Sequence, residues 1–351
     1  MDNNFLFILT LSVVLYSLLI WGFKTLPGEK WQFIATLPLH KHNDGGWQGL
    51  NLTFYGLFSA LAYGIAALIF LILTGSIHAP VSMVMMVLVL ILTVCVPASS
   101  LLVRIIERKN HGFTVGGASF VGVVITPAAI WSVNLVLGGH YQSHLPMLPL
   151  FAAMIIAYSF GEGIGRLGCI SFGCCYGKSL NETNKLFKSL FRSWNFTFFG
   201  ELKKIAYASG LEGKKVIPIQ AITAIIYTTT ALIGTWFYLQ SDYRTAFLLT
   251  IAVTQAWRVF SEFMRADFRG AMKFTAYQWM SLGSIGIAIV MVSMVAGQVP
   301  PASNISAGLS SVWNPVVLLS LQALMVFIFL FTGRSMVTDS KLSFHICHDR
   351  I

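Results

Sequence analysis

Charged side chains are scarce in this sequence of 351 residues, of which 10% are Asp, Glu, Lys or Arg and 56% are hydrophobic. A soluble domain carries about 25% charged residues, so this composition excludes an ordinary soluble fold and predicts an integral membrane protein. Acidic side chains are scarcer than basic ones, 13 against 23, which gives a formal net charge of +10. Because long apolar runs separate the basic residues, we expect them to contact anionic lipid headgroups, and we expect no nucleic-acid partner.

Cysteine is also rare, and its pattern excludes a disulfide framework. Three of the five cysteines, Cys169, Cys174 and Cys175, lie within seven residues instead of being spread along the chain. Their spacing is not that of a zinc site and no fourth ligand is obvious, so the sequence predicts no bound metal and no cofactor. Packing of small side chains is the favoured interpretation, and a reactive thiolate beside Arg166 is the alternative.

Nine apolar runs are long enough to cross about 30 Å of hydrocarbon as helices. They cover residues 5–23, 54–75, 80–104, 115–138, 146–164, 217–239, 245–264, 276–296 and 313–333. The first run lacks the basic segment and the cleavage site of a signal peptide, so we expect it to be retained. Since the runs are long and uninterrupted by turns, the sequence predicts an all-α polytopic membrane bundle of about nine transmembrane helices, and not a β-barrel.

Basic residues are concentrated on one side of this bundle. The connections after the first, third, fifth and seventh runs, and the tail, hold nearly all of them, which places that side in the cytoplasm and the N-terminus outside. In the long connection 178–215, apolar residues recur at helical spacing between cations. This pattern predicts a helix lying in the headgroup layer, with a packed cap over the bundle as the alternative. The recurring residues are Phe187, Leu190, Phe191, Trp194 and Phe198.

Several charged residues fall inside the predicted bundle. Glu162 and Arg166 are four residues apart, and Arg258, Glu262 and Arg265 follow one helical stripe. A charge at membrane depth costs several kcal/mol, so each of these groups faces either a partner or a cavity. Two separate ion-pair lattices are one interpretation. A shared anionic ligand in a central lipid cavity is the other, and it is favoured because guanidinium groups bind phosphate in a bidentate manner.

Five motifs resemble those of the bacterial prolipoprotein diacylglyceryl transferases, in the order of that family. The segment "GEGIGRLGCISFGCCYGK" is similar to G-R-[IL]-G-N-F-x-N-G-E-x-[WY]-G-[RK], and "RVFSEFMRADF" is similar to R-x-x-x-E-F-x-R-x-P-D. "GGASFVGVV", "LTFYGLFSALAYG" and "IPIQAI" resemble G-G-M-S-F-H-G-G, W-Y-G-L-x-Y-x-x-G and H-P-[ST]-Q-L-Y. The matching residues include Tyr55, Gly56, Arg166, Gly168, Gly173, Tyr176, Gly177, Pro218, Gln220, Arg258, Glu262, Phe263 and Arg265.

The resemblance runs from about residue 52 to about residue 296 and divides the chain into three parts. Residues 1–50 are predicted to form an extra transmembrane helix and a basic loop. Residues 51–297 are predicted to form the transferase-like core, with an interfacial arm at 178–215. Residues 298–351 are predicted to form another extra transmembrane helix and a tail.

The resemblance implies a multi-pass protein of the cell (inner) membrane that moves a diacylglyceryl group from phosphatidylglycerol to a thiol or other nucleophile. The acceptor in that family is the lipobox cysteine of a preprotein, and glycerol 1-phosphate is released. Arg166 and Arg258 would hold the phosphate, and Glu262 would fix Arg258. Tyr55 and Gln220 would orient the headgroup. Further substrate contacts are predicted at Gly117, Ser119, Gly168, Cys174, Gly177 and Arg265.

The sequence departs from the family pattern at three positions. Val121 stands at the family's histidine, and Cys169 and Cys174 stand at its Asn and Glu. His111 is the candidate replacement base. Without a base, the chain would be a non-catalytic phospholipid-binding or lipid-transport protein that retains the headgroup site, whereas a channel or ion-coupled transporter would more often show an internal repeat. The family works at the outer face, so either the charge bias fails here or this chain works from the inner leaflet.

Overall fold

The computed structural model of the chain describes residues 3–108, 114–268, 272, 274–295 and 301–351. Most of these residues are helical. The helices are α1 (Asn3–Thr25), α2 (Phe54–Ser76), α3 (Val81–Glu107), α4 (Val115–Tyr141), α5 (Met147–Phe172), α6 (Lys185–Leu190), α7 (Lys204–Ser209), α8 (Ile219–Leu239), α9 (Tyr243–Glu262), α10 (Ala276–Met294), α11 (Ile305–Val312) and α12 (Pro315–Thr332). The strands are β1 (Phe33–Lys41), β2 (Trp47–Thr53), β3 (Phe196–Thr197), β4 (Lys215–Val216) and β5 (Arg334–Leu342).

Eight of the helices in the described ranges are long and apolar enough to cross a membrane, namely α1, α2, α3, α4, α5, α8, α10 and α12. The predicted polytopic helical bundle is therefore confirmed. The remaining predicted span, the seventh run at 245–264, corresponds to α9, which is helical over 20 residues but is more polar than the other eight. It still extends along the bundle: the Tyr243 hydroxyl at its start donates to the Pro301 carbonyl at 2.7 Å, and Arg258 near its end reaches Glu162 of α5. Its polarity comes in part from the charged residues of the site described below.

Helix α5 lies at the centre of the bundle. Within its most apolar stretch of 18 residues, 72% is buried inside the protein. The corresponding share for α12, at the periphery, is 11%. Helices α2, α8 and α9 pack around α5, and Phe160 and Ile164 of α5 are completely buried. Large apolar side chains such as Leu319 and Phe327 are exposed on α12. An apolar outer surface of this kind matches the hydrocarbon that surrounds a membrane helix.

A three-stranded antiparallel sheet joins the connection after α1 to the C-terminal tail. Strand β2 lies in the middle, with β1 on one side and β5 on the other, and Trp47 pairs with Leu342. Inside the sheet, Asn51 accepts hydrogen bonds from Thr36 and Ser340 of the two outer strands. The sequence predicted a loop and a tail here, and strands were not expected in either. The N-terminal and C-terminal segments of the chain are thus held against each other.

The arm between α5 and α8 is a packed unit instead of one amphipathic helix. Helix α6 ends at Leu190, so the prediction that the helix extends to Phe198 is wrong. The Asn195 amide donates to the Phe191 and Arg192 carbonyls and ends the helical segment, and β3 then pairs with β4. Phe198 is completely buried, whereas Leu186 is 72% exposed. The arm therefore caps the bundle with its later part and with Phe187 and Phe191, while Leu186 and Leu190 of α6 stay exposed.

Lys203 ties this arm to two membrane helices. Its side chain is completely buried, and its Nζ donates to the Leu26 carbonyl at 3.1 Å and to the Ser171 carbonyl at 2.6 Å. Burial lowers the pKa of Lys203 from 10.5 to about 8, and the charge of Glu29 offsets part of that shift. Between these two values the unfolded chain holds a proton that the folded chain has lost. Stability therefore rises with pH from about 8 to about 10.5.

We expect the free energy of unfolding of the wild type, relative to that of Lys203→Met, to rise by roughly 1 kcal/mol per pH unit between about pH 8 and about pH 10. The difference between their unfolding temperatures should rise with it. Scanning fluorimetry of both proteins in detergent measures this difference. Lys185→Met, at an exposed position of α6, is the control and should keep the pH dependence of the wild type. Parallel pH curves for the wild type and Lys203→Met would contradict the prediction.

Candidate active site

Backbone pairing brings the ends of α5, α8 and α9 to one place. The Lys178 amide donates to the Met264 carbonyl at 2.9 Å, and the Ala266 amide donates to the Tyr176 carbonyl at 3.1 Å. Gly177 lies in this ladder, where a Cβ atom would stand 2.5 Å from the Ile217 carbonyl oxygen. Gly177 is therefore explained by the close approach of two backbones. The two charged segments of the sequence, 162–166 and 258–265, meet as a result.

Arg166 and Arg258 converge on a single carboxylate. Arg166 Nη2 forms an ion pair with Glu162 Oε1, and Arg258 Nη2 lies 3.4 Å from the same oxygen. The side chain of Arg166 is 11% exposed, that of Arg258 is 10% exposed and that of Glu162 is 2% exposed. The closest carboxylate to Arg258 is thus Glu162 on α5, and not Glu262 as the sequence predicted. Two guanidinium groups that share one carboxylate leave one net positive charge at this point.

Arg258 is further held by two tyrosines that sequence reasoning missed. Its Nη2 donates to the Tyr158 hydroxyl at 2.6 Å and to the Tyr227 hydroxyl at 3.3 Å. A Cβ atom at Gly116 would stand 2.6 Å from Arg258 Nη1, so the start of α4 leaves room for this guanidinium. Tyr158 could have been found, because it lies one helical turn before Glu162 and therefore on the same face of α5. Tyr227 could also have been found, because it lies two helical turns after Gln220 and therefore on the same face of α8.

Arg265 has its own carboxylate partners. It makes two hydrogen bonds of 2.8 Å to Asp267, and its Nη1 lies 3.9 Å from Glu262 Oε1. The bidentate pair with Asp267 neutralises Arg265. Of the three arginines, Arg166 and Arg258 are therefore the ones placed to attract an added anion.

A narrow cleft with a cavity volume of about 10 Å³ lies among these groups. Its walls are formed by Arg166, Cys175, Ile219, Gln220, Thr223, Tyr227, Trp257, Arg258, Ser261, Glu262 and Arg265. This volume holds about one water molecule and is far below the range for small-molecule sites, about 300–1,000 Å³. A lipid headgroup would therefore have to displace side chains of the cleft wall in order to enter.

Four buried polar atoms on the side chains around the cleft lack a hydrogen-bond partner among the described residues: Arg166 Nε, Gln220 Oε1, Arg258 Nε and Glu262 Oε2. Gln220 uses its other end, because its Nε2 donates to the Cys174 carbonyl at 2.9 Å. Buried polar groups in proteins are normally paired, so a cluster of unpaired donors and acceptors at one cleft indicates a ligand. Guanidinium donors and an amide oxygen together suit a ligand that carries both phosphate oxygens and hydroxyl groups.

Other predicted site residues lie outside the cleft lining. Gly117 packs against Leu102 of α3, and the Ser119 hydroxyl donates to the Gly116 carbonyl at 3.2 Å. At Gly168, an added Cβ atom would stand 3.2 Å from the Tyr55 carbonyl oxygen, so this glycine allows α5 to approach α2. These residues shape the helices around the site. The proposed base, His111, lies outside the described residues.

Cys169, Cys174 and Cys175 form a cluster beside the cleft. Their three sulfur atoms all lie within 4.8 Å of one another, although the sequence spacing did not suggest a common site. Hydrogen bonding to Cys169 and Cys175, together with burial, raises the pKa of the Cys174 thiol well above its usual value. Tyr55 lies close enough to interact electrostatically with all three cysteines. At the position of the family's histidine, Val121 packs against the apolar core and offers no proton acceptor.

Comparison with known protein families identifies a match that includes the site. The model of the family described as prolipoprotein diacylglyceryl transferase matches residues 47–294, which is more than two thirds of the chain. The matched range begins in β2 and ends with α10, so it includes every cleft-lining residue and excludes α1, α11 and α12. A search of curated proteins finds no match to this chain.

Proposed function

The chain belongs to the prolipoprotein diacylglyceryl transferase family, a family of membrane transferases of lipoprotein biosynthesis, and from this membership we propose that phosphatidylglycerol is its donor. The acceptor that we propose is the thiol of a lipobox cysteine in a preprotein of the cell (inner) membrane. The observation that carries the proposal is the convergence of Arg166 and Arg258 on Glu162 at the wall of one cleft. Two cations with one shared counter-charge suit a phosphodiester, which bears a single negative charge.

The chemical step that this site would perform is a displacement at a glycerol carbon. The acceptor thiol gives up its proton to water, its sulfur forms a bond to C3 of the diacylglycerol unit, the bond from C3 to the phosphate oxygen breaks, and glycerol 1-phosphate leaves with the electron pair. Negative charge grows on the phosphate as the bond breaks. Donors that are already in place stabilise such growing charge most effectively, and Tyr158 and Tyr227 keep Arg258 in place.

The remaining groups of the cleft have proposed roles in binding the glycerol headgroup. Gln220 Oε1 and Glu262 Oε2 are buried acceptors that two hydroxyl groups of the headgroup would satisfy. Arg265, held by Asp267, would close the cleft beside them. The acyl chains would lie outside the cleft, along the apolar surfaces of the helices.

One observation favours a second candidate function, a non-catalytic phospholipid-binding or lipid-transport protein. The family's histidine is replaced by Val121, whose side chain packs among apolar residues. A site that binds phosphate and lacks a base would retain lipid without transferring it. Restoring histidine at this position, as Val121→His, should raise turnover if the missing base is the limitation.

The test uses the purified protein in bilayer nanodiscs that contain phosphatidylglycerol, incubated with a lipobox peptide. Mass spectrometry should detect a thioether-linked diacylglyceryl peptide together with released glycerol phosphate. Nanodiscs of phosphatidylethanolamine alone are the control and should give neither product. Phosphatidylglycerol that copurifies with the protein, without any product, would establish the second candidate function and reject the first.

A further inference from the structure

The cluster of Cys169, Cys174 and Cys175 has a geometry that packing alone does not require. Cys169 belongs to the last turn of α5, and the other two follow the turn at Gly173. Cys175 has a left-handed backbone with φ of +56°, next to φ of +71° at Gly173. Neighbouring side chains in regular backbone point apart, so this turn is what allows Cys174 and Cys175 to share one site with Cys169. A left-handed conformation is unfavourable for a residue other than glycine.

The spread of the three sulfur atoms fits a single metal ion. A tetrahedral Zn²⁺ with bonds of about 2.3 Å holds its sulfur ligands roughly 3.8 Å apart, and the sulfur atoms here lie within 4.8 Å of one another. A contraction of about 1 Å at most closes the site, which side-chain torsions can supply. Three thiolates select a thiophilic ion such as Zn²⁺ over Mg²⁺ or Ca²⁺.

The charges around the cluster also suit a metal thiolate centre. Zn²⁺ with three thiolates carries one net negative charge. Three cations lie close enough to interact with these sulfurs: Arg166 with Cys169, Lys204 with Cys174 and Cys175, and Arg265 with Cys175. Cys175 also lines the cleft where Arg166 and Arg258 meet. The fourth position of the ion would therefore be open towards the cleft, as in catalytic zinc sites with three protein ligands.

We propose that Cys169, Cys174 and Cys175 bind one Zn²⁺ ion, and that the open fourth position takes the acceptor thiol as a thiolate. The second half rests on the proposed function. A thiol that coordinates zinc gives up its proton, so the acceptor loses its proton to water on binding. The bound sulfur then attacks C3 of the donor, the C3–O bond breaks, and glycerol 1-phosphate leaves with the electron pair. The thioether product is a weak ligand and departs from the ion.

This centre would replace the histidine of the family pattern. Val121 cannot accept a proton, and zinc removes the need for an acceptor because it lowers the pKa of the bound thiol directly. The ion undergoes no change of oxidation state, so the step needs no oxidant or reductant. A disulfide is the competing state of such a cluster, and it would join two of the cysteines and leave the third free.

The first experiment measures metal content and does not depend on activity. The full chain, purified without a metal-binding tag, is incubated with one equivalent of Zn²⁺ and desalted, and zinc is measured by mass spectrometry. We expect about one ion per chain in the wild type and a fall to background in Cys174→Ser. Cys95→Ser and Cys347→Ser, outside the cluster, are the matched controls and should keep the ion. After exchange of zinc for Co²⁺, thiolate-to-metal charge-transfer absorption should appear in the wild type and in the two control variants. It should be absent from Cys174→Ser.

The second experiment separates this inference from the proposed function. In the nanodisc assay, Cys175→Ser should transfer diacylglyceryl at least about 100-fold more slowly than the wild type while still retaining phosphatidylglycerol. If the wild type binds zinc but transfers no diacylglyceryl group in any preparation, the proposed function is rejected and the metal site is kept. Background zinc in the wild type, with free thiols or a disulfide at the three positions, would overturn the metal site. Full transfer by zinc-free protein would overturn the role of the ion.

Discussion

Glu162→Gln is expected to lower the free energy of unfolding by about 3–5 kcal/mol, the largest stability effect of any single substitution at the site. The substitution removes the one carboxylate that Arg166 and Arg258 share, and it leaves both guanidinium groups buried without a counter-charge. Glu162 lies in the central helix, where its side chain is 2% exposed, so water cannot take over its role. Thermal unfolding in detergent measures the effect.

The matched control is the same substitution at an exposed position. Glu182→Gln, in the arm, should unfold at the temperature of the wild type, because exposed charges contribute little to stability. Vesicles or micelles doped with an anionic phospholipid should restore part of the stability of Glu162→Gln, since a bound phosphate replaces the missing carboxylate. A Glu162→Gln protein with the unfolding temperature of Glu182→Gln would show that the two arginines do not depend on Glu162.

Much of the bundle could be predicted because its physical cause is local. Each membrane helix is a continuous apolar run, and its length alone is enough to recognise it. The most polar of the nine, α9, was predicted in the same way, as the apolar run 245–264. The sheet could not be predicted in the same way. Strands β2 and β5 lie almost 300 positions apart, and β1 has mostly exposed side chains without the alternation that marks a half-buried strand.

The candidate site could likewise be predicted only where its physical cause is local. The pair Glu162 and Arg166 was predicted because four residues is one helical turn, which is a property of the sequence. The contact of Arg258 with Glu162 depends on how α9 packs against α5, and no periodicity encodes that packing. The cysteine cluster shows a second limit. As a linear pattern its spacing did not suggest a common site, and the left-handed turn at Cys175 brings the sulfurs together.

Arg258→Ala is expected to lower kcat/KM for diacylglyceryl transfer by about 10²–10³-fold, the largest effect on activity that a stable variant should show. Arg258 would hold the leaving phosphate, and the rate depends on donors that stabilise the charge of that group. Lys188→Ala, which removes an exposed cation from the arm, is the control and should stay within about twofold of the wild type. The nanodisc assay with phosphatidylglycerol and the lipobox peptide gives both numbers.

The same variant distinguishes a role in chemistry from a role in the fold. Arg258→Ala leaves Glu162 paired with Arg166, so no buried charge loses its last partner, and the unfolding temperature should fall far less than in Glu162→Gln. Arg258→Lys keeps the charge but cannot reach Tyr158, Tyr227 and Glu162 together, so it should recover stability without recovering the full rate. Equal losses of stability in Arg258→Ala and Glu162→Gln, with the activity of the surviving protein unchanged, would make the arginine pair a structural ion-pair lattice and nothing more.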